Sequence, residues 1–294
     1  MTPELAPELT PELTSELTWG RHYLMVEPNH FRVDYQINPY MNTAVQPDHE
    51  VALHQWRTLV STIRELGGQV DVIPQLPHAP DMVYAMNLGL ALCPPSGPTV
   101  VMSHMRHAER RMEAPAAARW FADRGFRVLT VGQEGVGPHL EAGDAFWYRD
   151  RLLVGHGPRT DELALKHLAE TFDVEVVGFT INHPAMYHFD LIFCPLDSEH
   201  AIVAPAGLEP ESARRLLDLV PEPLVITAEE ATSTFAANSI VVGDTVVMPG
   251  PAPERVVNQL RTWGFGVVEL DLSEFHKGGG SIRCMTNPID VVIA

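Results

Sequence analysis

Five times along this chain a helical pattern runs into a short apolar stretch of extended pattern, often with glycine at the join. Residues 50–66 end in Gly67-Gly68 and lead into Gln69-Val70-Asp71-Val72-Ile73. Residues 116–124 stop at Gly125 before Phe126-Arg127-Val128-Leu129, and residues 161–172 lead into Val174-Glu175-Val176-Val177. Residues 211–219 lead to Leu224-Val225-Ile226, and residues 253–263 stop at Gly264 before Gly266-Val267-Val268-Glu269-Leu270. Glycine just past the last helical residue ends a helix at no steric cost, because it enters the left-handed region freely. Five like units in one chain point to a closed ring rather than to two domains. The competing arrangement for alternating helix and strand is an open, doubly wound sheet. Two features count against it. Further apolar runs at residues 99–102, 152–154, 201–203 and 239–242 give each unit more strands than a simple βα repeat. No Gly-x-Gly-x-x-Gly follows a strand, so a dinucleotide-binding fold has no support. In a ring, the last strand, near Cys284, would lie beside the first, near Met25.

The ring accounts for residues 19–294, read as a single α/β catalytic domain. Residues 1–18 are a proline-punctuated acidic repeat, PELA-PELT-PELT-SELT after the first two residues, with too little apolar surface to order itself. This segment reads as a flexible tail. A formal charge of −18 leaves no basic face for nucleic acid and suits a cationic small-molecule substrate. No apolar run approaches the ~20 residues needed to cross a bilayer, and no secretory signal pattern opens the chain. Three cysteines, Cys93, Cys194 and Cys284, are an odd set without metal-ligand spacing. They fit a reduced, cytoplasmic protein with no metal. Self-association into a homo-oligomer is left open.

Chemistry concentrates in three stretches. In Lys277-Gly278-Gly279-Gly280-Ser281-Ile282-Arg283-Cys284, a glycine run belongs where backbone turns tightly or passes close to something. A cysteine there, with Lys277 and Arg283 nearby, would have its thiolate favoured by positive charge. In Tyr187-His188-Phe189-Asp190 an extended backbone would place His188 and Asp190 on one face, a base beside a carboxylate. In Glu141-Ala142-Gly143-Asp144 two carboxylates flank a turn. His104, His107, His139, His156 and His183 show no pairing pattern and read as structural or exposed.

Taken together and in this order, Glu141-Ala142-Gly143-Asp144, His188-Phe189-Asp190 and the glycines before Cys284 resemble the guanidine-modifying superfamily. That group holds dimethylarginine dimethylaminohydrolases, arginine deiminases, arginine dihydrolases and amidinotransferases. Further stretches carry the likeness: Asn29-His30-Phe31, Ile37-Asn38-Pro39, Val83-Tyr84-Ala85-Met86-Asn87-Leu88-Gly89, Met105-Arg106-His107 and Gly157-Pro158-Arg159. The resemblance implies a five-bladed α/β propeller with the site on its axis and no metal or organic cofactor. It implies Cys284 as the nucleophile that forms a covalent thiouronium, and His188 as acid and base. It implies that Glu141 and Asp190 grip a guanidinium, that Arg106 and Arg159 hold the amino acid's carboxylate, and that Asn38 and Asn87 are pocket amides. The implied activity is hydrolysis of arginine or a methylated arginine. An amidinotransferase and a non-catalytic arginine-binding protein are the alternatives. Two departures stand out. Asn87 occupies a position that is acidic in many dimethylarginine hydrolases and deiminases, and asparagine there resembles the dihydrolase branch. Ala142 stands where glycine is usual.

Overall fold

The computed structural model describes residues 20–132 and 136–293. The expected tail at residues 1–18 lies outside them.

The first unit is strand β1 (His22–Val26), helix α1 (His49–Glu65) and strand β2 (Gln69–Ile73). The buried residues of α1, Ala52, Gln55, Trp56, Leu59, Val60 and Ile63, recur at three- and four-residue spacing and face the sheet. Asp48 caps the helix, its side chain accepting from Val51 N at 3.0 Å. The second unit is β3 (Gly89–Leu92), β4 (Thr99–Met102), α2 (Glu113–Asp123) and β5 (Arg127–Thr130). The third is β6 (Ala145–Tyr148), β7 (Arg151–His156), α3 (Glu162–Phe172) and β8 (Val176–Thr180). The fourth is β9 (Phe193–Pro195), β10 (His200–Val203), α4 (Pro210–Leu219) and β11 (Glu222–Val225). The fifth holds a short α5 (Ala228–Ser233), then β12 (Ile240–Val242), β13 (Thr245–Pro249), α6 (Glu254–Thr262) and β14 (Gly266–Leu270). Two single-turn helices follow, α7 (Ser273–His276) and α8 (Ile282–Met285), and then strand β15 (Asn287–Pro288).

Each unit makes one three-stranded sheet with the same pattern. An inner strand pairs antiparallel with a middle strand, which pairs parallel with an outer strand across the helix. A parallel neighbour needs such a crossover, and the helix supplies it. The inner strands β3, β6, β9, β12 and β15 are buried throughout, whereas the outer strands β2, β5, β8, β11 and β14 are partly exposed. The five sheets are thus blades of a propeller, inner edges at the axis. The first blade is completed from the far end of the chain. β15 pairs antiparallel with β1, Tyr23 opposite Pro288 and Leu24 opposite Asn287, as the ring reading requires.

The helix ends follow the glycine signal. Gly67, Gly125 and Gly264 take φ of 88°, 82° and 93°. Several boundaries differ from the sequence reading, two of them for a plain physical reason. Helix α2 starts three residues before residue 116, because Pro115 falls in the first turn, where no intrahelical N–H is needed. After α3, which has no glycine, Asp173 takes the left-handed conformation at φ 55°, and β8 begins at Val176 rather than residue 174.

Candidate active site

The segments leading into the inner strands meet on the propeller axis. Asn87 lies two residues before β3, Asp144 immediately before β6, Asp190 three before β9, Asn238 two before β12 and Cys284 three before β15. A chain of hydrogen bonds links neighbouring blades at this level. Asn87 Oδ1 accepts Gly143 N at 2.9 Å, and Asp144 Oδ1 accepts Phe189 N at 2.9 Å. Asp190 O accepts Asn238 Nδ2 at 3.0 Å, and Asn238 Oδ1 accepts Cys284 N at 3.2 Å. Asn287 Nδ2 then donates to Ala85 O at 3.1 Å and Gly89 O at 2.9 Å, returning to the second blade.

The glycine run passes where no side chain fits. A Cβ on Gly278 or Gly280 would collide with Tyr84, and one on Gly279, itself at φ 89°, would lie 2.6 Å from the Asn38 amide. Asn38 Nδ2 donates to Gly278 O at 3.0 Å, and Tyr187 Oη donates to Gly279 O at 2.6 Å. This packing sets Cys284 against a small pocket lined also by Asn38, Asn87, Arg159 and His188.

Cys284 is buried, 3% exposed. Its Sγ lies 3.3 Å from Asp190 Oδ2, to which the thiol donates, and accepts from Asn238 Nδ2 at 3.2 Å. The expected cationic activation is not built in. Lys277 Nζ pairs with Glu274 at 2.6 Å, and the Arg283 guanidinium sits 4.8 Å from the centre of the Phe146 ring and donates to Thr286 O. Burial, followed by the nearby Asp190 carboxylate, holds the Cys284 thiol well above its usual range, so the ligand-free protein carries a thiol there. Burial also raises Asp190, with His188 and Arg283 opposing. The second Asp190 oxygen, Oδ1, is buried with no hydrogen-bond partner among the described residues.

His188 is extended, but residues Phe189–Leu191 form a 3-10 turn rather than a strand. The shared-face argument therefore does not hold, and the two side chains part. Asp190 reaches Cys284, while His188 Nε2 lies 2.8 Å from Glu141 Oε2. Glu141 is fully buried and fully engaged. Its Oε2 also accepts Arg159 Nη1 at 3.0 Å, and its Oε1 accepts Arg106 N at 3.1 Å. Burial alone would raise this carboxyl, but Arg159 and His188 outweigh it and hold it well below the usual carboxylate range. Arg159 further donates to Ile37 O at 2.9 Å and stacks over Tyr187, 4.5 Å from the ring centre. Asp144 is buried beneath, accepting from Thr160 Oγ1 at 2.6 Å; burial pushes its carboxyl up to about 7. Ala142 donates its N–H to Ser103 Oγ at 3.1 Å.

Of the expected site residues, the structure brings Cys284, His188, Glu141, Asp190, Asn38, Asn87 and Arg159 together. Arg106 contributes its backbone N–H, but its guanidinium is paired with Asp161 and does not line the pocket. Arg110, four residues further on, lines the pocket instead, bound to Glu113 at 2.9 and 2.7 Å. Asp81, Tyr84, Tyr187 and Asn238 were not singled out in the sequence. The available signal was positional, since Asn87 and Asn238 each stand two residues before a buried inner strand. Among the described residues no group of three or more His, Cys, Asp or Glu could hold a metal ion, and no helix is long and apolar enough to cross a membrane.

Comparison with known proteins identifies this arrangement. The family model for eukaryotic N,N dimethylarginine dimethylhydrolase matches residues 27–291. The chain is 34% identical over 267 residues to the bifunctional arginine dihydrolase/ornithine cyclodeaminase ArgZ of Synechocystis sp., covering 90% of this chain but only 37% of that protein. It is also 34% identical over 266 residues to the N(G),N(G)-dimethylarginine dimethylaminohydrolase of Mycobacterium tuberculosis, covering 90% of this chain and 85% of the other. Its fold matches the crystal structure of the substrate-bound N-terminal domain of ArgZ with a TM-score of 0.86 at 32% identity, covering 93% of this chain and 99% of that one. With the motifs, the five blades and the family model in agreement, the chain belongs to the N,N dimethylarginine dimethylhydrolase family, a branch of the guanidine-modifying propellers.

Proposed function

We propose that this chain is a cysteine-dependent hydrolase of the guanidino group of L-arginine or an Nω-methylated arginine. The carrying observation is Asp190, whose Oδ2 touches the Cys284 thiol while its Oδ1 is buried with no hydrogen-bond partner among the described residues. A buried acceptor without a donor is costly, and a guanidinium N–H would satisfy it while setting the guanidino carbon beside sulfur. The guanidinium also supplies the positive charge that the thiol lacks, lowering its pKa on binding. The thiol's proton passes to His188, the thiolate attacks the carbon, and His188 gives that proton to the departing nitrogen, which leaves as ammonia or an alkylamine. Water, deprotonated by His188, attacks the resulting thiouronium and releases the sulfur, giving a ureido product. Glu141 has no free oxygen for substrate in this arrangement, so its role is to orient His188 and Arg159. Arg159, Arg110 and Asp81 give the pocket charges of both signs, suited to an amino acid's carboxylate and ammonium. Nucleophile, acid–base group and guanidinium acceptor are all side chains of residues 19–294, a single domain for which neither a metal nor an organic cofactor is needed. Free thiols suit a reducing cytoplasm.

Asn87 favours arginine as substrate and ornithine as product. Gly143 N–H occupies its Oδ1, so the amide nitrogen is the group left to face the pocket. That nitrogen can donate to a ureido oxygen, which a carboxylate at this position would repel. Held there, citrulline can meet a second thiolate attack that expels ornithine. The S-carbamoyl group then hydrolyses to carbamate, which breaks down to ammonia and carbon dioxide. The relatives' names divide along this line, one a dihydrolase and one a dimethylaminohydrolase.

Mass spectrometry of products from arginine, monomethylarginine and dimethylarginine tests the reading. We expect ornithine and two ammonia per arginine from the native protein, and a shift of about ten-fold or more towards citrulline in Asn87→Asp. Citrulline alone from arginine, or turnover only of methylated arginine, would return the protein to the deiminase or dimethylargininase reading. Transfer of the amidino group to an added amine would mark an amidinotransferase.

A further inference from the structure

The loop before β12 delivers a residue to the nucleophile. Asn238 is completely buried, and its side-chain amide is engaged at both ends. Oδ1 accepts Cys284 N at 3.2 Å, and its backbone carbonyl accepts Arg283 N at 3.2 Å. Nδ2 donates to Cys284 Sγ at 3.2 Å and to Asp190 O at 3.0 Å. Only the amide oxygen can accept from the Cys284 N–H, so the orientation is fixed and the nitrogen must face the sulfur.

Two independent features point to the same placement. The turn that carries Asn238 is strained. Phe235 sits at φ 54°, a conformation that a bulky side chain adopts only where its surroundings impose it. Here the Phe235 ring is 4.8 Å from Tyr40 and 4.4 Å from His276, and Asn238 N closes the turn onto Phe235 O at 2.7 Å. Asn238 is also the fifth-blade counterpart of Asn87 and Asp144, whose Oδ1 atoms take a backbone N–H from the next blade in the same way. Of these three, Asn238 is the one that also reaches sulfur.

We propose that Asn238 holds the Cys284 sulfur in its reactive state, its Nδ2–H donating to the thiolate as it forms and its two oxygens fixing the Arg283 and Cys284 amides. This rests on the reading of Cys284 as nucleophile. Besides Asn238, the groups that favour a thiolate are the Ser281 backbone and, through its charge, Arg283. Asp190 opposes a thiolate, and burial keeps Tyr40, Tyr84 and Tyr187 neutral. His188 is bound to Glu141, and Arg283 lies against Phe146. A hydrogen bond to an ionised acceptor is about twice as strong as one between neutral groups, so this contact gains most when the proton leaves.

The test compares Asn238→Ala and Asn238→Asp with native protein. Cys284 alkylation by iodoacetamide is followed against pH without substrate, with mass spectrometry to locate the label, alongside arginine turnover. We expect the Cys284 profile to move to higher pH, with alkylation at pH 7 slowed roughly ten-fold in Asn238→Ala. The effect should be larger in Asn238→Asp, whose carboxylate keeps the acceptor but loses the donor and adds a like charge. kcat should fall in the same order, and KM should change less. A native alkylation profile in either folded variant overturns the proposal, even if activity is lost, because a merely supporting role would leave the thiol unchanged. If Asn238→Ala does not fold, the near-isosteric Asn238→Asp decides. The underlying reading fails on a different variant: Cys284→Ser with retained turnover removes the nucleophile whatever the alkylation profile shows.

Discussion

His188 and Glu141 separate chemistry from scaffolding within one contact. In the proposed mechanism His188 moves protons, so His188→Ala should lower kcat by ~10²–10⁴-fold with a smaller effect on stability. Glu141 is clamped by Arg159, His188 and the Arg106 amide. Its loss strands a buried Arg159, and Glu141→Gln should destabilise the protein by about 3–5 kcal/mol near pH 7. The sign of the pH dependence follows from its depressed folded pKa. The carboxylate's stabilisation is present in full above the unfolded value of about 4.3 and is lost as pH falls through the folded one. Native protein should therefore lose stability on acidification below about pH 5 more steeply than Glu141→Gln, as read by urea titration at stepped pH. Parallel curves would show that Glu141 is not the group that titrates. These residues were legible because each stands in a motif with chemistry of its own. Asn238 was not, because Ala236-Ala237-Asn238-Ser239 looks like any polar turn before a strand, and its partners lie 46 and 48 positions away in sequence.

At the scale of the element, the sequence disclosed the helices and the middle and outer strands, and hid most of the inner strands on the axis. Helices and outer strands carry periodicity and glycine stops because one face is solvated. The inner strands are buried on both faces and as short as two residues, so no alternation marks them. Of the expected extra runs, residues 99–102, 152–154 and 201–203 proved to be middle strands and residues 239–242 to hold the inner strand β12, while β3 was not anticipated. β15 compensates for its length through Asn287, which donates across to Ala85 and Gly89 beside the Asn87 turn. Asn287→Ala leaves those buried carbonyls short of a donor, at about 1–3 kcal/mol each. At about 2–4 °C per kcal/mol for a chain of this size, the calorimetric Tm should drop by roughly 4 °C or more. An unchanged Tm would mean that strand pairing alone closes the first blade.

The whole molecule carries a formal charge of −18, and its proposed substrate is a cation. Raising the ionic strength from about 0.01 to 0.15 M shortens the screening length from about 30 to about 8 Å. kcat/KM for arginine should fall over that range while kcat holds, and the value for citrulline, whose side chain is neutral, should fall less. Equal salt dependence for the two would remove any role for the acidic surface in capture. The ring itself was legible from its fivefold recurrence, and the sequence placed its closure near Cys284 and Met25, as β15 and β1 show. That closure also sets an order in time. A growing chain can complete its middle blades as they emerge, but the first stays open until residues 287–288 arrive. Cys284, three residues earlier, reaches Asp190 and Asn238 only as the ring shuts. Pairing of β15 with β1 and the seating of Cys284 beside Asp190 and Asn238 thus belong to one closing segment.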